Sequence, residues 1–159
     1  MKIEFTPIGI IHSPYKSPEN MPIQPAGSEN KEARVEVFEK YRAGLKDLDG
    51  FSHVILIYHF HKSREYNLHV TPFLDQVQRG LFATRAPRRP NSIGLSVVEL
   101  LSIRNNHLFI KNPDMLDGTP LLDIKPFVPA FDQPEKCRVG WIEKTKKTLK
   151  KIRSDRRFV

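Results

Sequence analysis

Proline is the residue that most constrains how this chain can fold. Thirteen prolines are spread over 159 residues, and each one fixes its own φ angle and removes a backbone hydrogen-bond donor. Long helices do not tolerate that density, so the sequence predicts many short elements joined by turns. Short apolar runs alternate with these turn signals, as they do in all-β domains. We therefore expect one all-β domain, a barrel or a sandwich.

The predicted strands are all short. The run 53–60 is almost wholly apolar, which is typical of a buried strand. Asn105-Asn106 between two apolar runs predicts a hairpin turn, and 38–48 predicts a short helix that stops at Asp49-Gly50. No strand is followed by Gly-x-Gly-x-x-Gly, so nothing supports a doubly wound nucleotide-binding fold. The predicted strands cover 3–10, 34–38, 53–60, 78–84, 95–103, 108–110 and 121–124.

A long N-terminal loop is predicted from 13 to 32, where four prolines follow one another closely. Loops of this length in compact domains often act as lids or binding loops, although a disordered insertion would have the same composition. Its one apolar part is 21–25, which is the part we expect to dock.

The positive charge is concentrated at the C-terminus. Residues 141–159 carry a net charge of +6, out of +8 for the whole chain. Trp141, Thr145, Leu149 and Ile152 recur at spacings of three and four, which predicts a terminal helix. We divide the chain into a barrel domain, 1–140, and a short basic helix or tail, 141–159, packed on it. Such a tail suggests a polyanionic partner; a solvated helix kept for solubility is the alternative.

The cysteine count and the N-terminus bear on the compartment. Cys137 is the single cysteine, which excludes an intrachain disulfide and fits a reducing environment. The first ten residues contain Lys2 and Glu4 and no long apolar run, so no signal peptide is predicted. No stretch approaches the length of a transmembrane helix. We expect a cytoplasmic protein with no membrane partner.

The segment 81–96 combines fixed charge with fixed backbone. It holds three arginines, two prolines and a glycine between two apolar runs. Pro87 and Pro90 push the residues before them toward extended geometry, and the planar guanidinium fork suits carboxylates and phosphates. The segment therefore predicts a rigid anion site. A Pro-rich connection between two strands with an exposed basic patch is an equally weighted interpretation.

Residues 82–96, Phe-Ala-Thr-Arg-Ala-Pro-Arg-Arg-Pro-Asn-Ser-Ile-Gly-Leu-Ser, resemble the signature of the TsaA-like family, which includes the tRNA methyltransferase O enzymes. Three further stretches, 8–15, 48–61 and 114–127, resemble the same family. The resemblance covers most of the chain up to Pro129. It implies a small β-barrel that binds S-adenosylmethionine, usually as a homodimer with the cofactor near the subunit interface. No stretch here resembles the long C-terminal domain of the bacterial enzymes.

The resemblance also implies an activity and a set of site residues. The activity is methyl transfer to tRNA, at N6 of threonylcarbamoyladenosine beside the anticodon. Arg85 or Arg89 would pair the cofactor carboxylate or a substrate phosphate. Asp117 is the candidate catalytic carboxylate, although the composition of 117–120 alone predicts a turn capped by its aspartate. The implied cofactor contacts are Pro22, Ile23, Gln24, His61, Lys62, Arg85, Arg89, Leu95, Asp117, Gly118, Thr119 and Pro120.

Two other functions stay open from the sequence. A non-catalytic RNA-binding barrel would use the basic tail and aromatic side chains such as Tyr58 and Phe82. A metal-dependent hydrolase would use His59 and His61, which form a His-x-His pattern. The further ligands that a metal needs are not evident beyond His69 and acidic residues such as Asp75, so we predict no metal.

Methyl transfer from a sulfonium is an in-line displacement, which needs alignment of the reactants more than a catalytic dyad.

Overall fold

A closed six-stranded barrel forms the centre of the computed structural model, which describes residues 1–19, 21–28, 30–73, 76–145 and 154. Within these residues the strands are β1 Gly9–His12, β2 Glu32–Val37, β3 His53–His59, β4 His69–Val70, β5 Arg79–Gly80, β6 Ile93–Arg104, β7 His107–Lys111 and β8 Thr119–Pro126. A short α-helix covers Pro129–Asp132, and 3-10 helices cover Pro25–Gly27, Glu39–Leu45, Leu48–Gly50, Leu81–Ala83 and Gly140–Thr145.

The barrel strands are antiparallel and follow the order β1-β2-β7-β6-β3-β8. β1 closes the ring because it pairs with β2 on one side and β8 on the other, Gly9 lying opposite both Val37 and Leu121. β4 and β5 form a separate two-stranded sheet. The predicted all-β barrel with a long loop between the first two strands is confirmed.

The core lies inside the barrel, where inward-facing side chains alternate with outward-facing ones along each strand. In β3 the burial pattern alternates, with Val54, Leu56 and Tyr58 buried. Each fully buried aliphatic side chain contributes about 1.5–3 kcal/mol relative to exposure. The almost fully buried core side chains include Ile11, Val35, Val37, Val54, Leu56, Leu108, Ile110 and Leu121.

The predicted hairpin is confirmed and three predicted elements are corrected. Asn105 turns β6 into β7 with a φ of 55°. The first strand begins at Gly9, not at residue 3, because Pro7 has no N–H for a ladder bond. The predicted strand 78–84 is only β5 followed by a 3-10 turn, which Thr84 closes by donating to the Leu81 carbonyl at 2.7 Å. The predicted helix 38–48 is the 3-10 helix Glu39–Leu45.

The predicted terminal helix falls mostly outside the described residues. The described residues before this gap form the 3-10 helix Gly140–Thr145, and 146–153 and 155–159 are not described. The division into 1–140 and 141–159 therefore stays a prediction. In the described part of the chain, no helix has the length and apolar character needed to cross a membrane.

Candidate functional site

A cavity of about 700 Å³ lies beside one end of the barrel. This is within the size range of pockets that hold drug-sized ligands. Its walls come from parts of the chain that are far apart in sequence: the N-terminal loop, the end of β3, the arginine segment, the start of β6, and the connection between β7 and β8. The barrel therefore supplies a rigid frame, and the loops at its end supply the side chains.

Nine of the twelve residues implied as cofactor contacts line this cavity. They are Pro22, Ile23, Gln24, His61, Lys62, Arg85, Arg89, Leu95 and Thr119. The side chains of the described cavity wall do not include Asp117, Gly118 or Pro120. The structure thus brings most of the predicted set together, while the cofactor role of each residue remains a prediction.

Asp117 makes the contacts of a turn residue. Its carboxylate accepts a hydrogen bond from the Lys16 ammonium at 2.7 Å and from the Ser13 backbone N–H at 3.1 Å. The hydrogen bond from Lys16 is the main cause that lowers the pKa of Asp117. The next residue, Gly118, has a φ of +75° and donates to the Ile11 carbonyl at 2.9 Å. This turn fastens the end of β1 to the start of β8.

The two predicted anion-binding arginines differ in what they contact. Arg89 donates through Nη1 to the carbonyls of Thr84 at 3.1 Å and Ala86 at 3.4 Å. Its guanidinium also lies 5.8 Å from the centre of the exposed Phe82 ring. Arg89 therefore holds the arginine segment in shape, as the predicted rigidity requires. Arg85 is exposed on the cavity wall, so its guanidinium can reach an anion there.

The histidine pair at the end of β3 is split between two environments. His59 is exposed, whereas His61 lines the cavity, its Nδ1 lying 3.4 Å from Thr119 Oγ1. Burial, with the nearby charge of Lys62, lowers the pKa of His61. Among the described residues, no three His, Cys, Asp or Glu side chains form a group that could hold a metal. Asp75, named above as a candidate ligand, lies outside the described residues.

Sequence reasoning missed a buried polar chain that ends in the cavity. Ser96 Oγ donates to Asp114 Oδ1 at 2.6 Å, and the Tyr58 hydroxyl lies 3.0 Å from Ser96 Oγ. Since the single hydroxyl hydrogen of Ser96 goes to Asp114, the Tyr58 hydroxyl donates to Ser96. Burial raises the pKa of Asp114 to about 7, against the opposing effects of the Ser96 hydrogen bond and the Arg85 charge. Burial also raises the pKa of Tyr58.

The position of the Tyr58 ring depends on a glycine across the sheet. Tyr58 in β3 lies opposite Gly94 in β6. A Cβ placed on Gly94 would lie 2.2 Å from Cε2 of the Tyr58 ring, well inside van der Waals contact. Gly94 therefore makes room for the ring, whose hydroxyl reaches Ser96. The sequence hint for the buried chain was weak, because Asn112-Pro113 before Asp114 predicts only the end of a strand.

Three described residues of the C-terminal part line the cavity: Trp141, Ile142 and Ser154. Trp141 donates through Nε1 to the Ala83 carbonyl at 2.9 Å. Ser154 bonds to the N-terminal loop: its N–H donates to the Met21 carbonyl at 3.0 Å, and its hydroxyl lies against the Pro18 carbonyl. The loop segment that lines the cavity is thus held between the barrel and the C-terminal residues.

The fold and the cavity define a small β-barrel protein with a cavity whose walls come from loops at one end of the barrel. The chain belongs to the tRNA-methyltransferase O N-terminal domain family, whose model matches residues 10–133. The resemblance of residues 82–96 to that family is therefore confirmed.

Three comparisons place the chain within this family. It is 52% identical over 158 residues to a probable S-adenosyl-L-methionine-binding protein of Pyrococcus abyssi, covering 99% of this chain and 86% of that protein. It is 34% identical over 140 residues to a tRNA (adenine(37)-N6)-methyltransferase of Mus musculus, covering 84% of this chain and 32% of that enzyme. A crystal structure of TrmO from Pseudomonas aeruginosa superposes with a TM-score of 0.74 at 36% identity, covering 88% of this chain and 62% of that one. The chain thus spans under two thirds of the latter two proteins.

Proposed function

We propose that this protein binds S-adenosylmethionine in the cavity and transfers its methyl group to tRNA, at N6 of threonylcarbamoyladenosine beside the anticodon. The observation that carries the proposal is the meeting of nine implied contact residues on one cavity wall. The names of the relatives support it, because one is called an S-adenosyl-L-methionine-binding protein and another a tRNA (adenine(37)-N6)-methyltransferase. A cytoplasmic location is part of the same proposal.

The cavity lining includes both apolar and charged residues. S-adenosylmethionine has a flat aromatic adenine, whose faces suit apolar surface, and a charged amino-acid end. Ile23 and Leu95 supply apolar surface, which suits the adenine faces, and the buried Pro22 packs behind this surface. Arg85 supplies a planar cation for the carboxylate or for a substrate phosphate. His61 lies beside Thr119, and Lys62 follows it on the cavity wall. The protein's main task is to align the methyl group with the attacking nitrogen.

The basic tail provides the second part of the tRNA contact in this proposal. Residues 141–159 carry a net charge of +6, and most of them lie outside the described residues. Lysines and arginines at such a site bind phosphates and add affinity without reading bases. The contacts of Trp141 and Ser154 support a tail packed on the barrel domain.

A cofactor titration and a transfer assay test the function. Calorimetry without added metal should show S-adenosylmethionine and its demethylated product binding once per chain. Labelled methyl should then pass to tRNA that carries threonylcarbamoyladenosine, and not to the same tRNA without that modification. Binding of tRNA with no cofactor binding would favour the RNA-binding alternative. About one metal per chain by elemental analysis, lost in His59→Ala and His61→Ala, would favour the hydrolase.

An exposed apolar strip on the barrel supports a homodimer with the cofactor near its interface. Ile57 and Leu95 are cross-strand partners on the outer faces of β3 and β6, and Ile93 follows on the same side. Leu95 is 49% exposed and Ile93 37% exposed, yet both line the cavity. A second copy that covers this strip would therefore border the cavity and exclude water from the bound cofactor.

Sedimentation equilibrium should show a dimer for the wild-type protein. Ile57→Glu places a charge in the strip at a residue that is not itself on the described cavity wall, although its cross-strand partner Leu95 is, so we expect it to give a folded monomer with weaker cofactor binding. Lys46→Glu, which introduces a carboxylate at an exposed residue just after the 3-10 helix Glu39–Leu45, is the control and should remain dimeric. A monomeric wild-type protein that still binds the cofactor tightly would contradict the shared interface.

A further inference from the structure

Asp114 is the only acidic side chain on the described part of the cavity wall. Pro113 and Met115 on either side of it are buried, which fixes the backbone of the segment. The hydroxyl of Ser96 donates to Oδ1 of Asp114 at 2.6 Å, and Ser96 is in turn held by the Tyr58 hydroxyl at 3.0 Å. The carboxylate thus has a defined orientation on the wall of a cavity of about 700 Å³.

The other candidate carboxylate is committed elsewhere. Asp117 is paired with Lys16 at 2.7 Å and accepts the Ser13 N–H, and it lies off the described cavity wall. The Asp117 carboxylate already accepts a hydrogen bond from the Lys16 ammonium, and its pKa is lowered. It is therefore a poor base at neutral pH. Asp114 is therefore the better candidate for the catalytic carboxylate, which the resemblance had placed at Asp117.

We infer that the carboxylate of Asp114 receives the proton that the target nitrogen loses during methyl transfer. This rests on the proposed function. The nitrogen lone pair forms the new N–C bond to the methyl group as the C–S bond breaks. The electron pair of that bond stays on sulfur, so the sulfonium becomes a neutral thioether. The N–H proton passes to Asp114, which becomes a neutral carboxylic acid and later returns the proton to water.

The surroundings of Asp114 suit a base that works near neutrality. Its pKa of about 7 lies where a general base is both ionised and able to accept a proton. The charged and titratable groups that face it are Arg85 and Tyr58, and Ser96 adds a hydrogen bond. His61 on the same cavity has a lowered pKa, so it loses its proton at a lower pH. The rate of methyl transfer should therefore rise with pH through about 7 and then level off.

The test is Asp114→Asn, which keeps an oxygen for the Ser96 hydroxyl but cannot take up a proton. Single-turnover methyl transfer at saturating cofactor and tRNA should fall by about 100-fold or more, and the rise near neutral pH should disappear. Cofactor affinity by calorimetry should stay close to that of the wild type, which also shows that the variant folds. Asp123→Asn removes the same charge from an exposed ion pair with Lys125 and should retain the wild-type rate and pH profile.

Ser96→Ala provides a second, independent measurement. The Ser96 hydrogen bond lowers the pKa of Asp114, so removing it should move the rise in rate to higher pH.

A wild-type rate and an unchanged pH profile in Asp114→Asn would overturn the inference. The inference would also be overturned if Asp114→Asn lost cofactor affinity but kept the wild-type rate at saturating cofactor. That result would make Asp114 a partner of the cofactor ammonium. Absence of transfer by the wild-type protein would instead refute the proposed function.

Discussion

Replacing Gly94 with alanine should lower the free energy of unfolding by about 3 kcal/mol. The new Cβ would lie 2.2 Å from Cε2 and 2.5 Å from Cζ of the Tyr58 ring. That ring is buried and packs edge-on against Phe60 with centroids 5.4 Å apart, so it cannot move away without disturbing other contacts. Thermal unfolding should show a decrease of about 6–12 °C in Tm for a domain of this size.

A control and a rescue separate this clash from a general effect of alanine. Gly44→Ala adds the same methyl group where no atom lies within 4 Å of it, so the stability should change by less than about 0.5 kcal/mol. Tyr58→Leu removes the ring, and in that background Gly94→Ala should cost less than about 1 kcal/mol. Equal losses in both backgrounds would show that the ring is not the cause.

Replacing Arg85 with alanine should weaken cofactor or substrate binding by about 1.5–3 kcal/mol, which is about 10- to 150-fold in Kd. The guanidinium is exposed on the cavity wall, so an anion there would lose a charge-assisted hydrogen bond. The Arg85 charge also lowers the pKa of Asp114. Removing that charge raises this pKa further, so the rise in methyl-transfer rate should move to higher pH. Calorimetry and the pH–rate profile measure the two effects separately.

Two other arginines provide the comparison. Arg42→Ala removes a charge from a surface ion pair with Glu39, away from the described cavity wall, and should leave binding unchanged. Arg89→Ala should weaken binding and also lower Tm, because Arg89 donates to two carbonyls of its own segment. Unchanged affinity and activity in both Arg85→Ala and Arg89→Ala would refute the assignment of the site.

The fold class could be predicted from the sequence because it depends on local signals. The prolines, the apolar run 53–60 and the turn at Asn105-Asn106 each act within a few residues. The errors arose where one hydrogen bond decides the conformation. The alternation over 3–10 predicts a strand that begins at residue 3. The strand in the structure begins at Gly9, because Pro7 cannot donate a hydrogen bond to the barrel ladder. The run 78–84 predicts one strand, but the strand in the structure covers only Arg79–Gly80. The chain turns after it because the Thr84 hydroxyl donates to the Leu81 carbonyl.

The site was predicted in part, for a different reason. The sequence signature identified segments whose residues meet on the cavity wall, but a signature does not show which side chain of a segment faces the cavity. Asp117 and Asp114 lie three positions apart in one connection, and only Asp114 lines the described cavity. Its hydrogen bond comes from Ser96, which in turn bonds to Tyr58, and both residues are distant from it in sequence. Such burial is a property of the folded barrel and leaves no local pattern.

The seam between β1 and β8 has a consequence for how the protein is made. Gly9 pairs with Leu121, so the barrel cannot close until most of the chain has left the ribosome. β1 and β2 can pair early, but they keep an unsatisfied edge until β8 is available. Thr119 lies on the cavity wall and in this seam, so the cavity is completed in the same event as closure. A nascent chain before that point exposes unpaired strand edges and apolar surface, which is the kind of state that chaperones bind and that aggregates when they do not.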